Sequence, residues 1–289
     1  MKDNNISNEI LHHADVVSEK VVAIIISYKD TDALELTTHA ISEQVDQVII
    51  VDNNSGHDFD SALCKIGNMR HVDVVKLEKN EGIGKALNIG VSIARRFKPN
   101  WILTLDQDSI CEPKLVEKLL KTSSSIENVG IVAASTDQHI NSIKLTYPLA
   151  VITSGNLVNI KVFDCLSYNE KYFIDSVDFD FCLKVKKSGW KIIQSNNTFL
   201  AHRLGTLSNL SLLGFNFRYI SHPPLRRYYI FRNHIFLIKD HFSDYPIFLV
   251  KKSFFLLKIF FSIIVFDKKR SENIKMIIKG VFHGLVGRT

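Results

Sequence analysis

The sequence lacks most of the features that would set it apart from ordinary folded proteins. Its 289 residues include four cysteines, Cys64, Cys111, Cys165 and Cys182. None forms a CxxC pair or a zinc spacing, which argues against a structural zinc site and predicts reduced thiols. There is no internal repeat and no low-complexity tract. The first twenty residues contain Asp3, Glu9, Asp15 and Glu19 and no apolar run, so no secretory signal is expected there. The stretch SFFLLKIFFSIIVF (253–266) is interrupted by Lys258 and falls short of the ~20 apolar residues that a spanning helix needs. What remains is a chain of ordinary composition, 46% hydrophobic and 23% charged, long enough to bury a substantial core.

The net charge of +6 is unevenly spread. Residues 1–202 hold 21 Lys+Arg and 26 Asp+Glu (−5), whereas residues 203–289 hold 15 and 4 (+11), which sums to +6. Positive charge gathered in an aromatic and aliphatic tail points to an anionic lipid surface rather than to nucleic acid. Charge balance and aromatic content change near residues 203–225, and the sequence is divided accordingly into a polar segment 1–19, a main unit 20–215 and a helical, membrane-associating region 216–289.

Buried strands are predicted at VVAIIIS (21–27), QVIIV (47–51), VDVVKL (72–77) and WILTL (101–105), from their β-branched apolar runs. Helices are predicted over 31–44, from Ile83, and from about Pro113. The segment after Ile83 repeats Ala86, Leu87, Gly90, Val91, Ala94 and Phe97 on one helical face, leaving Lys85 and Asn88 opposite. Alternating strands and helices of these lengths indicate an α/β fold with a mostly parallel sheet. Ligands of such sheets collect beyond the carboxyl ends of the strands. Tyr28, Asp52, Asn80 and Asp106 each follow a predicted strand and are expected to face one crevice.

LTLDQDS (103–109) carries two carboxylates, Asp106 and Asp108, at a strand end. Such a pair can cap a following helix, hold Mg2+ or Mn2+ through hard oxygens, or attack a phosphate as in haloacid-dehalogenase-like phosphatases. The phosphatase arrangement belongs on the first strand of a domain, and here the first strand runs into SYKD instead. Asp52 opens DNNSG, where an Asx-turn is the structural alternative to ligand binding. Asp178 and Asp180 stand about 200° apart on an ideal helix and cannot share one task. Both fall in a first helical turn, where a carboxylate is favoured in any case.

Taken in order, VVAIIISYKD, VIIVDNNS, NEGIGKALNIG, LTLDQDS and FIDSVDFDFCLKVKKSGWKI resemble family-2 glycosyltransferases of the GT-A fold, over roughly residues 20–205. LDQDS, DSVDFDFCLK and RRYYIFRN most resemble the branch that transfers L-rhamnose from dTDP-L-rhamnose to growing polysaccharides. The resemblance implies that Asp52 reads the nucleotide base and that Asn80, Gly82 and Lys85 lie along the diphosphate, with Tyr28 and Asp106 also on the donor. It implies Asp108, with His202 and with Asp106 as a further candidate, as ligands of Mn2+ or Mg2+, and Asp178 as the general base of a single inverting displacement. This chain departs from many relatives in having Val177 before the base and Lys184 where an arginine is common.

The tail stretch 253–266, flanked by Lys251, Lys252, Lys268, Lys269 and Arg270, is expected to lie in the plane of the cytoplasmic face of the cell membrane. That position suits a saccharide acceptor carried on a polyprenyl diphosphate. Arg226, Arg227, Tyr228, Tyr229 and Arg232 stand as candidates to neutralise the diphosphate or to pack against the catalytic unit. Galactofuranose and other dTDP- or UDP-sugars remain open as donors, as does a nucleotide-sugar-binding protein without turnover.

Overall fold

A computed structural model of the chain describes residues 19–137, 145–202, 207–212, 215–220, 222–267 and 269–289, with main chain only over 202–220. The amino-terminal polar segment before residue 19 and Lys268 lie outside the described residues.

The chain starts as the apolar pattern predicts. Strand β1 (Val21–Ser27), helix α1 (Thr31–Ser42), β2 (Gln47–Asp52), α2 (Asp60–Gly67), β3 (Val72–Lys76), α3 (Ile83–Ala94) and β4 (Trp101–Asp106) follow one another. β5 (Ser109–Cys111), α4 (Leu115–Ser124), β6 (Val129–Ser135), β7 (Leu145–Thr146), β8 (Asn156–Asn159), α5 (Val177–Lys187) and β9 (Lys191–His202) complete the α/β unit. A two-stranded hairpin, β10 (Leu207–Leu212) and β11 (Phe215–Ile220), leads to three helices, α6 (Pro224–His241), α7 (Pro246–Phe266) and α8 (Arg270–Val286).

The main sheet has the order β3-β2-β1-β4-β8-β6-β9-β5, with β7 paired to β9. β1 to β4 are mutually parallel, β8 runs antiparallel between β4 and β6, and β5 runs antiparallel along β9. Alternation along each strand feeds two core layers. Val21, Ala23 and Ile25 face one side with Val48, Ile50, Leu103 and Leu34, whereas Val22 and Ile24 face the other with Ile49, Val51, Ile102 and Leu87. A strand covered on both faces must be apolar throughout, which explains its β-branched run.

Two helix starts differ from expectation, and one residue on the outer side of a helix gains a role. The helix predicted from Pro113 begins at Leu115, because Lys114 takes a left-handed conformation (φ 62°) that ends the preceding turn. The stretch 253–266 is part of a longer helix that starts at Pro246, a residue whose fixed φ suits a first helical turn. Asn88 is not idle on the outer side of α3: its side chain donates to the Tyr168 carbonyl (2.9 Å) and accepts from the Tyr168 N–H (3.0 Å).

The carboxy-terminal helices share the core of the α/β unit. Phe236 and Leu237 of α6 and Leu249 of α7 pack in the same buried cluster as Phe181 and Leu183 of α5. The change of composition near residue 216 thus marks a change of role, not a gap in the core. α8 lies tightly along α6: a β-carbon at Gly280 would collide with the Tyr228 carbonyl oxygen. Gly280→Val should therefore force the two helices apart and lower stability by about 1–3 kcal/mol. A urea midpoint equal to that of the parent chain would refute this close approach.

Candidate active site

The strand register brings the predicted donor residues to one edge. Ser27 lies opposite Asp52, and Ile26 opposite Asp106, so Tyr28, Asp52 and Asp106 end three neighbouring strands at one level. Asn80 follows β3 at the same end, since Asp52 is in register with Lys76. The loops are tied to one another. Gln107, between the two acids, accepts from the Tyr28 N–H (2.6 Å) and donates to the Tyr28 carbonyl (3.1 Å), while its own carbonyl accepts from Thr37 Oγ1 (2.7 Å). The Asp106 N–H donates to Ser154 Oγ (2.9 Å), which donates on to Ser109 Oγ (2.7 Å). Neither Gln107 nor Ser154 stood out in the sequence, because each acts through backbone contacts that no motif spacing encodes.

Asp52 is buried, 1% exposed, and its carboxylate closes the 52–55 turn onto an N–H three residues on, not the two of an Asx-turn. Its carboxylate accepts from Ser27 Oγ (2.9 Å), the Ser55 N–H (3.0 Å) and Ser55 Oγ. Of about four acceptor positions on a carboxylate, roughly one is left for a ligand. Asn80 Oδ1 accepts from the Gly82 N–H (3.0 Å), and Asn53 Oδ1 from the Glu81 N–H (2.8 Å), binding the β2 and β3 loops together. Gly82 has φ 82°, and a β-carbon there would stand 2.6 Å from the Phe173 carbonyl oxygen. Its close approach is thus to the protein's own chain. Lys85 forms an exposed ion pair with Glu81 (3.3 Å).

Asp106 and Asp108 occupy the turn between β4 and β5, both half-buried. Ser109, the next residue, is the register partner of His202 on β9, so the main chain brings residues 106, 108 and 202 to the same part of the sheet. Two carboxylates and an imidazole are a donor set suited to Mn2+ or Mg2+.

Asp178 sits elsewhere. It lines a cavity of about 630 Å3 between α5, α6 and α7, and none of the strand-end acids belongs to that lining. The link between the two places is the segment 171–176, whose Phe173 carbonyl accepts from the Ile83 N–H (2.8 Å). Burial pushes the Asp178 carboxyl up to about 6, although the Phe179 N–H donates to it (2.8 Å) and the Lys252 ammonium acts in the opposite sense. A carboxyl poised there is ionised at pH 7 and still basic enough to accept a proton.

The helix bearing it is held from behind. Asp180 is fully buried and accepts from His241 Nε2 (2.9 Å), with Lys184 Nζ at 2.6 Å. Asp180, Asp240 and His241 bring ligand atoms within 4.8 Å of one another. Lys184 beside Asp180 and Lys171 beside Asp240 (2.5 Å) already supply the positive charge a cation would bring, so the group reads as a latch between α5 and α6. Asn233 donates to the carbonyls of Ile174 (2.6 Å) and Asp175 (3.0 Å), Arg226 makes a forked pair with Asp175 (3.1–3.3 Å), and Arg232 donates to the Lys171 carbonyl (2.9 Å). Arg226 and Arg232 of RRYYIFRN therefore pack against the catalytic unit, whereas Arg227 lines the cavity.

Residues 22–173 match the model of Glycosyl transferase family 2. The chain belongs to that family. It is 26% identical over 297 residues to the dTDP-rhamnosyl transferase RfbF of Shigella flexneri, covering 94% of this chain and 98% of the relative. It is 30% identical over 105 residues to the amylovoran biosynthesis glycosyltransferase AmsE of Erwinia amylovora, covering 35% of this chain and 38% of the relative. Among solved structures, the mannosyltransferase PcManGT from Pyrobaculum calidifontis, in complex with GDP-Man and Mn2+, superposes with a TM-score of 0.60 at 11% identity, over 93% of this chain and 88% of that one. TarS 1–349 of S. aureus gives 0.51 at 12% identity, over 93% and 72%. The fold is that of GT-A glycosyltransferases, as the ordered motifs implied, and the protein is a glycosyltransferase.

His241→Ala should leave buried Asp180 without its histidine donor and lower stability by about 1–3 kcal/mol. Chemical denaturation at pH 7.5 measures this, and an unchanged midpoint would remove the latch.

Proposed function

We propose that this family-2 glycosyltransferase moves L-rhamnose from dTDP-L-rhamnose onto a saccharide carried by a polyprenyl diphosphate, at the cytoplasmic face of the membrane. The observation that carries the donor assignment is the end-to-end similarity to a dTDP-rhamnosyl transferase. In this proposal residues 20–215 form the catalytic unit, and residues 216–289 form a helical region that complements it and meets the membrane.

The chemistry is a single displacement with inversion. Asp178 takes the proton of the acceptor hydroxyl as that oxygen bonds to the anomeric carbon. The bond from that carbon to the donor's diphosphate oxygen breaks, and its electron pair leaves with the nucleoside diphosphate. Tyr28, Asp52, Asn80, Gly82, Lys85 and Asp106 line the donor, with the remaining acceptor position of Asp52 turned to the base. Asp108 and His202, with Asp106 beside them, would hold Mn2+ or Mg2+, which would supply positive charge at the departing diphosphate.

Asp178→Asn should abolish transfer while donor affinity stays within about threefold, an effect of under 1 kcal/mol; equal loss of both would rule out the base. Because burial raises the Asp178 pKa, acidification protonates the base before most other carboxylates: log kcat should fall with unit slope below pH 6 and level off above it. A profile flat down to pH 5 would contradict the assignment. EDTA should stop the release of dTDP from dTDP-L-rhamnose and Mn2+ should restore it, with UDP-sugars inactive. Turnover that is indifferent to chelator would take Asp108 and His202 out of the metal role.

Support for membrane docking lies in the outer surfaces of α7 and α8. No helix among the described residues is long and apolar enough to cross a membrane. Phe254, Phe261, Ile278 and Phe282 are nevertheless each at least 60% exposed, with Lys251, Lys269 and Arg270 nearby in the chain. Lys251→Glu combined with Lys269→Glu and Arg270→Glu should release the protein from phosphatidylglycerol-containing vesicles, and salt should do the same. Undiminished pelleting would argue against docking.

A further inference from the structure

The cavity beside Asp178 combines three kinds of wall. One is the base itself, another is the cationic group Arg227, Lys252 and Lys258, and the third is apolar, including Phe255 and Phe266 of α7. Its other charged and titratable groups are accounted for. Asp175 is held by the Arg226 fork, and His222 is neutral at pH 7 because burial and the nearby arginines push it down to about 4. Lys252 rests its ammonium on the Phe179 ring, 3.5 Å from the centroid, and its pKa is lowered by burial. A half-buried ammonium held against an aromatic ring can turn to an arriving anion and gain a charge-assisted hydrogen bond. An anion flanked by hydrocarbon is the ligand that complements both the lysines and the phenylalanines.

Size restricts the ligand further. At about 630 Å3 the cavity is in the range that holds a drug-sized molecule, on the order of a phosphate group with one sugar and not an extended oligosaccharide. Resting on the transferase reading above, we infer that this cavity seats the phosphate-bearing end of a short lipid-linked acceptor, with Lys252 and Lys258 as its anion ligands. The hydrocarbon leaves over Phe255 and Phe266 toward the exposed face of α7. Since base and lysines share one cavity, the hydroxyl that gives its proton to Asp178 belongs to a sugar at or next to the phosphate. The protein therefore acts early in assembly, soon after the reaction that joins the first sugar phosphate to the lipid phosphate, and not at the far end of a long saccharide.

Farnesyl diphosphate is the binding probe, with farnesol and inorganic diphosphate as controls. Each is titrated calorimetrically into the full chain with its donor site already filled by nucleoside diphosphate and Mn2+. Farnesyl diphosphate should bind at least tenfold more tightly than either control, and Lys252→Ala with Lys258→Ala should erase that advantage without changing thermal melting. Equal affinity for farnesyl diphosphate and farnesol, or an advantage that survives both substitutions, overturns the inference. Transfer supplies an independent check, using farnesyl-diphosphate-linked hexoses and N-acetylhexosamines, the same sugars as octyl glycosides, and linked tetrasaccharides. The short phosphate-bearing acceptors should lead in kcat/KM by at least tenfold. If long or phosphate-free acceptors serve equally well, the inference falls while the transferase reading stands. If no sugar nucleotide yields product with any acceptor, the transferase reading fails and takes the inference with it.

Discussion

The position of Asp178 depends on a strained stretch of main chain and on the helix that holds it. Asp175 and Ser176 both take left-handed backbone conformations, with φ of 62° and 65°, immediately before α5. Each such residue costs on the order of 1–3 kcal/mol unless its surroundings enforce it. Here Asn233 donates to the carbonyls of Ile174 and Asp175, and Arg226 and Arg232 of the same helix fasten the segment further. On its other side Phe173 packs against Gly82, at the start of the helix that follows the donor-side loops. The segment is thus gripped between the first half of the chain and α6. A carboxylate placed by three distant parts of the sequence can keep a fixed distance from a donor held at the strand ends.

Two acids on one helix turn show how environment divides labour. Asp180 is fully buried, with a histidine hydrogen bond on one oxygen and a lysine ion pair at the other, and it joins α5 to α6. Asp178, two residues earlier, points to the opposite side and accepts only its neighbour's N–H among the hydrogen bonds described. At Asp178 burial outweighs the opposing pull of Lys252 and raises the pKa.

The parallel half of the fold was legible because its signals are local. β1, β2 and β4 are buried on both faces, and their β-branched runs announce it. The helical face of α3 could be counted residue by residue. The order of five short motifs also carried the family. β8 left no comparable trace: its four residues run antiparallel between β4 and β6, so its place depends wholly on long-range pairing. Within the site, the strand-end acids were identified by type and position, but their fasteners were not. Gln107, Ser154 and Asn233 act through backbone groups up to 79 residues away, and an amide or hydroxyl has no periodicity to betray such a bond. The resemblance puts Gly82 along the diphosphate, but the chain that comes closest to it, and to Gly84, is the protein's own 169–173 segment.

α7 shows why composition alone misjudges a helix of this kind. It is 21 residues long, and by length it could span a bilayer core of about 30 Å at ~1.5 Å per residue. Yet its fully buried residues are Leu249, Leu256 and Ile263, seven apart, which is one narrow seam along a single face. The rest of the helix divides by charge. Lys252 turns inward over Phe179 beside the base, while Lys251 and Lys258 are exposed among phenylalanines. A helix meant only to complete a soluble core would not leave Phe254, Phe255 and Phe261 more than 60% exposed, since contiguous apolar surface of that kind invites association. A helix meant to cross a membrane would not carry three lysines. A helix with one edge in the protein, one lysine beside Asp178 and its aromatic side outward fits a different task, the one proposed for it above: to carry the hydrocarbon of an acceptor whose polar end reaches Asp178.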